Sequence, residues 1–283
     1  MHNELVITQD GSPTFYSHKY KDHYHSTHGA LAESVHIYIN AGLKRVCETK
    51  SVVRILEMGF GTGLNVLLTV LYTDTPGVLS HTRCVSNLHR VELPGNEMCE
   101  LTELPRGRIA GEKSFPGDVD QSLPGGKIIG EKSLPRGVIT IEYISVESDP
   151  LTENEVRSLT YVEQIPDNRA RALFDAIHSA PWDVPGALSE NFLLTKRRTR
   201  LEDFQSQAKF DLIYYDAFSP SVQPQLWDEA MFAKIASMCA PEAVLVTYSS
   251  RGSVRRALSA AGFSVTKLPG PKGKREMVVA VLA

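Results

Sequence analysis

Apolar positions along the chain change period several times, and each change marks an element. Leu5-Val6-Ile7-Thr8 and Thr14-Phe15-Tyr16 flank an Asp-Gly and Pro turn, which predicts a hairpin. Ala30, Val35, Ile37, Ile39 and Leu43 then recur within residues 29–47, a helical stretch with Gly42 towards its end. Val52–Leu56 predicts a strand, Gly59–Gly63 a turn and Leu64–Tyr72 an apolar helix. The next strand signal is Ile139–Val146, much further along than the short loop such a βα unit needs. Helices over 152–162 and 168–178, a short strand at Phe192–Leu194, a strand at Phe210–Tyr215 and a helix over 225–238 follow. The chain closes with a strand at 243–248, a helix over 253–261 and a hairpin formed by 263–268 and 276–281. Parallel βα units closed by a hairpin imply an α/β fold whose sheet is mostly parallel with an antiparallel edge.

The gap between Tyr72 and Ile139 holds an internal repeat, in which Leu104–Gly117 aligns with Leu123–Arg136. Two copies are too few to stack into a solenoid. Gly and Pro abound there and large apolar residues are scarce, so the expectation is an inserted loop over about 84–137, mobile or loosely packed. Its Arg106, Arg108, Lys113, Lys127, Lys132 and Arg136 suggest the alternative of a basic arm that contacts a partner. The expected organisation is an N-terminal hairpin and helix extension, 1–50, covering a pocket in a domain over 51–283.

With 283 residues, 42% hydrophobic and 22% charged, the composition is that of a globular protein able to bury a substantial core. No apolar run approaches the ~18 residues that span a bilayer, and Met1–Gln9 lacks the layout of a signal peptide; a cytoplasmic protein without membrane contact is expected. Four scattered cysteines argue against a zinc ribbon or a disulfide framework. A net charge of -3 does not exclude nucleic acid, because a local basic face can bind phosphates. His23, His25 and His28 form a short run with no cysteine nearby, and are read as a polar lid rather than a metal site.

The chemistry concentrates at strand ends. Glu57-Met58-Gly59-Phe60-Gly61-Thr62-Gly63 ends a strand on an acid and turns through three glycines into a helix, where open α/β sheets bind ligands. The spacing differs from the dinucleotide fingerprint, and the acid before the turn suits a ligand bearing an amine or hydroxyls. The turn resembles the first motif of Rossmann-like class I S-adenosylmethionine methyltransferases. Glu147, closing the second strand, is placed to accept two ribose hydroxyls. Asp216-Ala217-Phe218-Ser219-Pro220 closes the fourth strand and resembles the Asp/Asn-Pro-Pro-Tyr loop of amino-group methyltransferases.

Taken in order, Tyr24-His25-Ser26, Gly29–Ser34, Gly59–Asn65, Asp216–Pro220 with Gln223-Pro224 and Leu226-Trp227, and Lys274-Arg275-Glu276-Met277 are similar to one family. It is the tRNA methyltransferase that converts 5-aminomethyl-(2-thio)uridine at the wobble position to 5-methylaminomethyl-(2-thio)uridine. In some bacteria the family's activity is one half of a bifunctional enzyme whose other half is a flavin-dependent oxidase. This chain resembles the stand-alone form, so a separate oxidase upstream is an implied partner beside the tRNA anticodon loop. The resemblance implies a seven-stranded Rossmann-like sheet and S-adenosyl-L-methionine as donor. It implies donor contacts from Glu57, Gly59, Phe60, Gly61, Gly63, Asn65, Glu147 and Asp216. Asp216 would orient the amine and take its proton, with Glu33 as a second carboxylate. Tyr24, His25, Phe218, Pro220, Lys274 and Arg275 would meet the substrate.

The repeat insert departs from the family, which has a short link there. So does Lys196–Leu201, where relatives tend to place an Asp facing the adenine; Thr199, Leu201 and Glu202 are the candidates here. The basic residues fall into three groups: Lys196, Arg197, Arg198 and Arg200; Arg251, Arg255 and Arg256; and Lys272, Lys274 and Arg275, of which the second and third flank strand ends and suggest a phosphate-binding rim. Phe60, Phe218 and Trp227 are candidates for stacking the base, with helix packing as the alternative role of Trp227. Two other readings fit the same residues: a small-molecule amine N-methyltransferase or aminopropyltransferase, and a donor- or RNA-binding protein without catalysis.

Overall fold

The computed structural model describes residues 3–74 and 138–283, all within one compact unit. The repeat segment and its proposed basic arm lie outside the described residues. Two sheets are present among the described residues. A small antiparallel sheet joins β1 (Glu4–Ile7), β2 (Pro13–Ser17) and β3 (Asp22–His23). The large sheet is built from β4 (Val52–Met58), β5 (Thr140–Glu147), β6 (Gly186–Ser189), β7 (Phe192–Arg198), β8 (Phe210–Tyr215), β9 (Cys239–Thr247), β10 (Phe263–Pro269) and β11 (Glu276–Leu282). Its order is β10-β11-β9-β8-β4-β5-β7-β6. The five strands from β9 to β7 run parallel, and the antiparallel neighbours are β11, β10 and β6. This is the mostly parallel architecture expected, with eight strands in place of seven. The extra strand, β6, folds back on β7 as an edge directly after Pro185, a residue tolerated at an edge but not inside a sheet.

Strand β4 lies at the centre and is buried along most of its length, because helices cover both faces. Alternation sorts its side chains. Ile55 joins a core with Leu67, Val70, Tyr143 and Tyr214 on one face, and Leu56 and Met58 join Tyr215, Phe232, Ile235 and Val254 on the other. Glu57 therefore belongs to the first face, away from Met58. That face is covered by α1 (Ala30–Ser34), a π-helical run Val35–Leu43, α2 (Lys44–Cys47), α3 (Leu64–Thr73) and α5 (Ala170–Ser179). A Cβ at Gly42 would lie 3.0 Å from Val246 Cγ2 and 3.4 Å from Leu212 Cδ1, so this glycine lets the helix approach the sheet closely. The expected helix over 29–47 is continuous, but its middle is wound as a π-helix, a form frequent near functional sites.

Two expected helices are broken into shorter pieces. Thr152 and Glu155 form a reciprocal capping box on α4 (Glu153–Arg157), which gives way to a 3-10 turn at Tyr161–Gln164. Asp228 accepts a hydrogen bond from the Met231 amide and starts α6 (Glu229–Met238), separating it from the turn Pro224–Leu226. With α7 (Gly252–Ala260), α6 covers the second face. No helix among the described residues is long and apolar enough to cross a membrane. Phe232 is fully buried between Tyr215 and Trp227 at the heart of this second core. Phe232→Ala should cost about 3–5 kcal/mol in urea unfolding; a loss under about 1 kcal/mol would show that this face does not carry the fold.

Candidate active site

A cavity of about 710 Å³ opens at the carboxyl ends of β4, β5, β7 and β8. The order of winding reverses at β4, with β5 and β7 to one side and β8 and β9 to the other, so the cavity sits at the topological switch point. It is lined by Met58–Gly61, Leu64 and Asn65 from the glycine turn, Val146–Ser148 after β5, Thr199–Glu202 after β7, and Asp216–Ser219 after β8. Residues 22–27 and Glu33 line it from the N-terminal segment, and Lys274 from the final hairpin.

The glycine turn and the Asp216 loop touch through their backbones. Gly59 has φ +96°, and a Cβ there would stand 2.7 Å from the Asp216 carbonyl oxygen. The Asp216 amide donates to the Met58 carbonyl at 3.1 Å, and the Gly59 amide to that of Val146 at 3.0 Å. Three strand ends are thus tied within one turn of backbone. Glu147 is held in place by amides, accepting from Gly61 at 3.2 Å and Asp149 at 2.9 Å. Burial raises its pKa against those bonds. Phe60 packs edge-on against His178 and Trp182 beneath the turn, with Lys196 Nζ 5.3 Å from its ring centre.

Asp216 accepts a hydrogen bond from Asn65 Nδ2 at 3.0 Å. Burial and the nearby Glu33 carboxylate raise its pKa, opposed by His25, Tyr38 and Asn65. His25 bonds Thr62 Oγ1 through Nε2 at 2.8 Å, and burial lowers its pKa, which favours the neutral ring. Both oxygens of the buried Glu33 are engaged, one by Lys274 Nζ and the other by the Ser26 amide at 2.8 Å. Lys274 also lies 4.1 Å from the ring centre of Tyr248. Tyr24 meets Phe218 edge-on at 5.1 Å, and Phe218 stacks on Tyr20 at 4.4 Å.

The structure gathers Tyr24, His25, Glu33, Gly59, Phe60, Gly61, Asn65, Glu147, Asp216, Phe218 and Lys274 around one cavity, together with Thr199, Leu201 and Glu202. Glu57, Gly63, Pro220 and Arg275 are not among its lining residues. Glu57 points to the opposite face of β4 and is fully buried. Gly63 shapes the start of α3 against His178 and Phe60, while Pro220 and Arg275 lie in the loops behind Ser219 and Lys274. Trp227 is buried, donates to the Phe218 carbonyl at 2.8 Å and packs against Tyr215 and Tyr248, so it supports the loop rather than stacking a ligand.

Lys196 leaves the first basic group, because alternation along β7 turns it inward. Its ammonium donates to the Ile177 and His178 carbonyls at 2.8 and 3.0 Å, and burial pushes its pKa down to about 8. His23, His25 and His28 face Tyr16, Thr62 and Gln9 respectively, three separate surroundings. Sequence patterns missed Tyr20 and Tyr248. Tyr248 directly follows β9, the same strand-end position that singled out Glu147 and Asp216; Tyr20 sits in a turn that carries no periodic signal.

A glycine turn in backbone contact with a carboxylate loop thus sits at the switch point of a mostly parallel sheet. Residues 188–283, about a third of the chain, match a family model described as S-adenosyl-L-methionine-dependent methyltransferase. Over nearly all its length the chain is also similar to the tRNA 5-methylaminomethyl-2-thiouridine biosynthesis bifunctional proteins MnmC. It is 30% identical over 282 residues to that of Cupriavidus metallidurans, covering 99% of this chain and 34% of the relative. It is 29% identical over 283 residues to that of Ralstonia nicotianae, covering 97% of this chain and 33% of the relative. The chain therefore spans about a third of the length of these curated relatives. Among solved structures, MNMC2 of Aquifex aeolicus shares the fold with a TM-score of 0.62 at 22% identity, covering 100% of this chain and 70% of that one.

Gly59→Ala should leave the fold intact but weaken S-adenosylhomocysteine binding about tenfold to hundredfold in calorimetry, the equivalent of 1–3 kcal/mol of local strain. Unchanged affinity would detach the turn from donor binding.

Proposed function

We propose that this chain methylates the 5-aminomethyl group of (2-thio)uridine at the tRNA wobble position, with S-adenosyl-L-methionine as donor. The observation that carries the reading is the contact between the Gly59 turn and Asp216, which sets a donor cradle and a proton-accepting carboxylate side by side. The similarity to proteins named for 5-methylaminomethyl-2-thiouridine biosynthesis supplies the substrate class.

The cavity's residues suit the donor. Open glycine backbone, the Glu147 carboxylate and the Thr199–Glu202 segment offer places for the amino-acid end, the ribose and the adenine respectively. When bound, the donor supplies a methyl group already activated on a sulfonium. The protein's work is then alignment and proton management. A primary amine attacks only in its neutral form, and a buried site favours that form. Asp216 orients the nitrogen and accepts the proton it loses, with the neutral His25 ring beside it. Glu33 acts through Lys274, holding the ammonium over Tyr248.

The N-terminal segment 1–50 serves as the cover of the site, placing Tyr24 and His25 over the turn. Tyr20, Tyr24 and Phe218 form an aromatic mouth suited to a uracil drawn out of the anticodon stack. For the phosphates, Arg251, Arg255, Arg256, Lys272 and Arg275 supply charge on one side of the molecule, where Arg255 and Arg275 both act on Glu276. A separate oxidative activity would supply the aminomethyl precursor.

The assay is methyl transfer to tRNA from cells lacking this enzyme, read by nucleoside mass analysis. Product at the wobble uridine is expected; donor binding without transfer to tRNA or to small amines would leave a binding protein, and transfer to free amines alone would leave a small-molecule enzyme. In the same assay Asp216→Ala should lose about 10²–10⁴ in turnover and still bind S-adenosylhomocysteine. Full turnover in that variant would remove Asp216 from the role.

A further inference from the structure

Lys274 reaches the cavity from the terminal hairpin rather than from a parallel strand. β11 is antiparallel to β9 and pairs Val278 with Thr247, so its first residues stand at the carboxyl end of β9. The turn before β11 therefore lies at the same end of the sheet as the glycine turn and Asp216. It is tight: the Lys274 amide donates to the Pro271 carbonyl at 2.9 Å, and the Gly270 amide to that of Arg275 at 3.1 Å. It is also pressed onto the N-terminal segment. His36 Nε2 bonds the Pro269 carbonyl at 2.9 Å, and a Cβ at Gly273, where φ is +85°, would run into the His28 ring. A braced backbone, not a loose loop, brings Lys274 to the cavity wall.

An ammonium carries three donors and no acceptor. Among the described residues the one acceptor for Lys274 Nζ is Glu33 Oε1, and Nζ lies 4.1 Å from the ring centre of Tyr248. Donor capacity is left over, and Lys274 lines the cavity. Its charge is not left over, because the Glu33 carboxylate, 8% exposed against 28% for Lys274, balances it. That balance suits the proposed reaction, which brings a sulfonium and an amine into the same cavity, where a bare cation would oppose both. The pair thus presents a fixed, charge-compensated hydrogen-bond donor. So enclosed an ion pair contributes little to stability, and the fold gains little from keeping it.

Its place selects the ligand atom it meets. The subsites proposed for the methyl donor lie at the ends of β4, β5 and β7, whereas Tyr248 and Lys274 stand at β9 and β11, on the far side of β8. Asp216, at the end of β8, lies between the two groups. Asp216, Glu33 and Lys274 all act on the His25 ring, which keeps them in one neighbourhood. An acceptor whose amine lies at Asp216 therefore turns its adjoining atoms towards Lys274. In a pyrimidine with the aminomethyl group on C5, the neighbouring ring position that bears a polar group is C4. Uracil carries an oxygen there, which accepts; cytosine carries an amino group, which donates.

We infer that Lys274 determines which base the site accepts: held by Glu33 and Tyr248, it donates a hydrogen bond to the C4 oxygen of the pyrimidine and rejects a C4 amino group. The inference rests on the proposed methyl-transfer reading and names the part of the nucleoside that the site reads. Two donors set against each other leave N–H groups unpaired on both sides, the mismatch by which a hydrogen-bonding site excludes an analogue.

The test uses two synthetic anticodon stem-loops, one carrying 5-aminomethyluridine and the other 5-aminomethylcytidine at the wobble position, and reads kcat/KM for methyl transfer to each. The unaltered protein should favour the uridine RNA by at least about a hundredfold. Lys274→Met should lower that ratio by at least about tenfold, chiefly by slowing the uridine RNA. Lys274→Gln should lower it as far by admitting the cytidine RNA, since its amide can donate to Glu33 and also accept from a C4 amino group. This variant decides the matter if Lys274→Met does not fold. In both, the Kd for S-adenosylhomocysteine should move by less than about threefold. Equal use of the two RNAs by the unaltered protein, or an unchanged ratio in the folded variants, would overturn the inference and leave the methyl-transfer reading standing. A larger loss of S-adenosylhomocysteine affinity would put Lys274 on the donor instead and overturn it likewise. Methylation of neither RNA by the unaltered protein would sink the reading itself, and the inference with it.

Discussion

The organisation of the site depends on one close approach: the backbone of Gly59 against the carbonyl of Asp216. Any side chain at Gly59 would meet that oxygen at 2.7 Å, so the contact exists only because the residue is glycine in a positive-φ conformation. Through it the ends of β4 and β8 become one surface, and the Gly59 amide's bond to Val146 extends that surface to β5. The glycine turn and the Asp216 carboxylate are then neighbours without a long connecting loop. The sheet supplies the rest, since the reversal of winding at β4 opens a crevice exactly where these three strand ends meet.

Electrostatics divides the site into two layers. Facing the cavity are charges with partners or access to ligand: Asp216 with Asn65, Glu33 with Lys274 and Ser26, Glu147 with two backbone amides. Beneath them lies a layer of Tyr38, Tyr143, Tyr214, Ser145 and Glu57, buried against the π-helical segment and α3. The upper layer suits binding a cationic donor and a methylated amine. Raised carboxyl pKa values in both layers have the same first cause, desolvation, and differ in how well hydrogen bonds offset it.

Much of this was legible in the order of residues. Strand ends such as Val146-Glu147 and Tyr215-Asp216 are marked by an apolar run stopping at an acid, and the structure brings both to one cavity. What pattern could not give was side-chain direction. Glu57 and Lys196 each sit beside residues that reach the surface or the cavity, yet the two-residue period of a strand turns both inward. A motif read as a string treats neighbours as equivalent; a strand does not. The eighth strand was also hidden, because Gly186–Ser189 is short, begins after Pro185 and pairs in the sheet with β7 alone. Apolar spacing alone had also joined α4 to the Tyr161–Gln164 turn, and the Pro224–Leu226 turn to α6, which the Asp228 cap separates.

The central claim is that the donor lies across the Gly59 turn with its reactive carbon facing Asp216. A crystal structure with S-adenosylhomocysteine bound tests it directly. The account predicts the ligand's sulfur on the Asp216 side of the turn, its ribose hydroxyls on Glu147 and its adenine beside Thr199–Glu202. Ligand density elsewhere, or a sulfur turned away from Asp216, would contradict it.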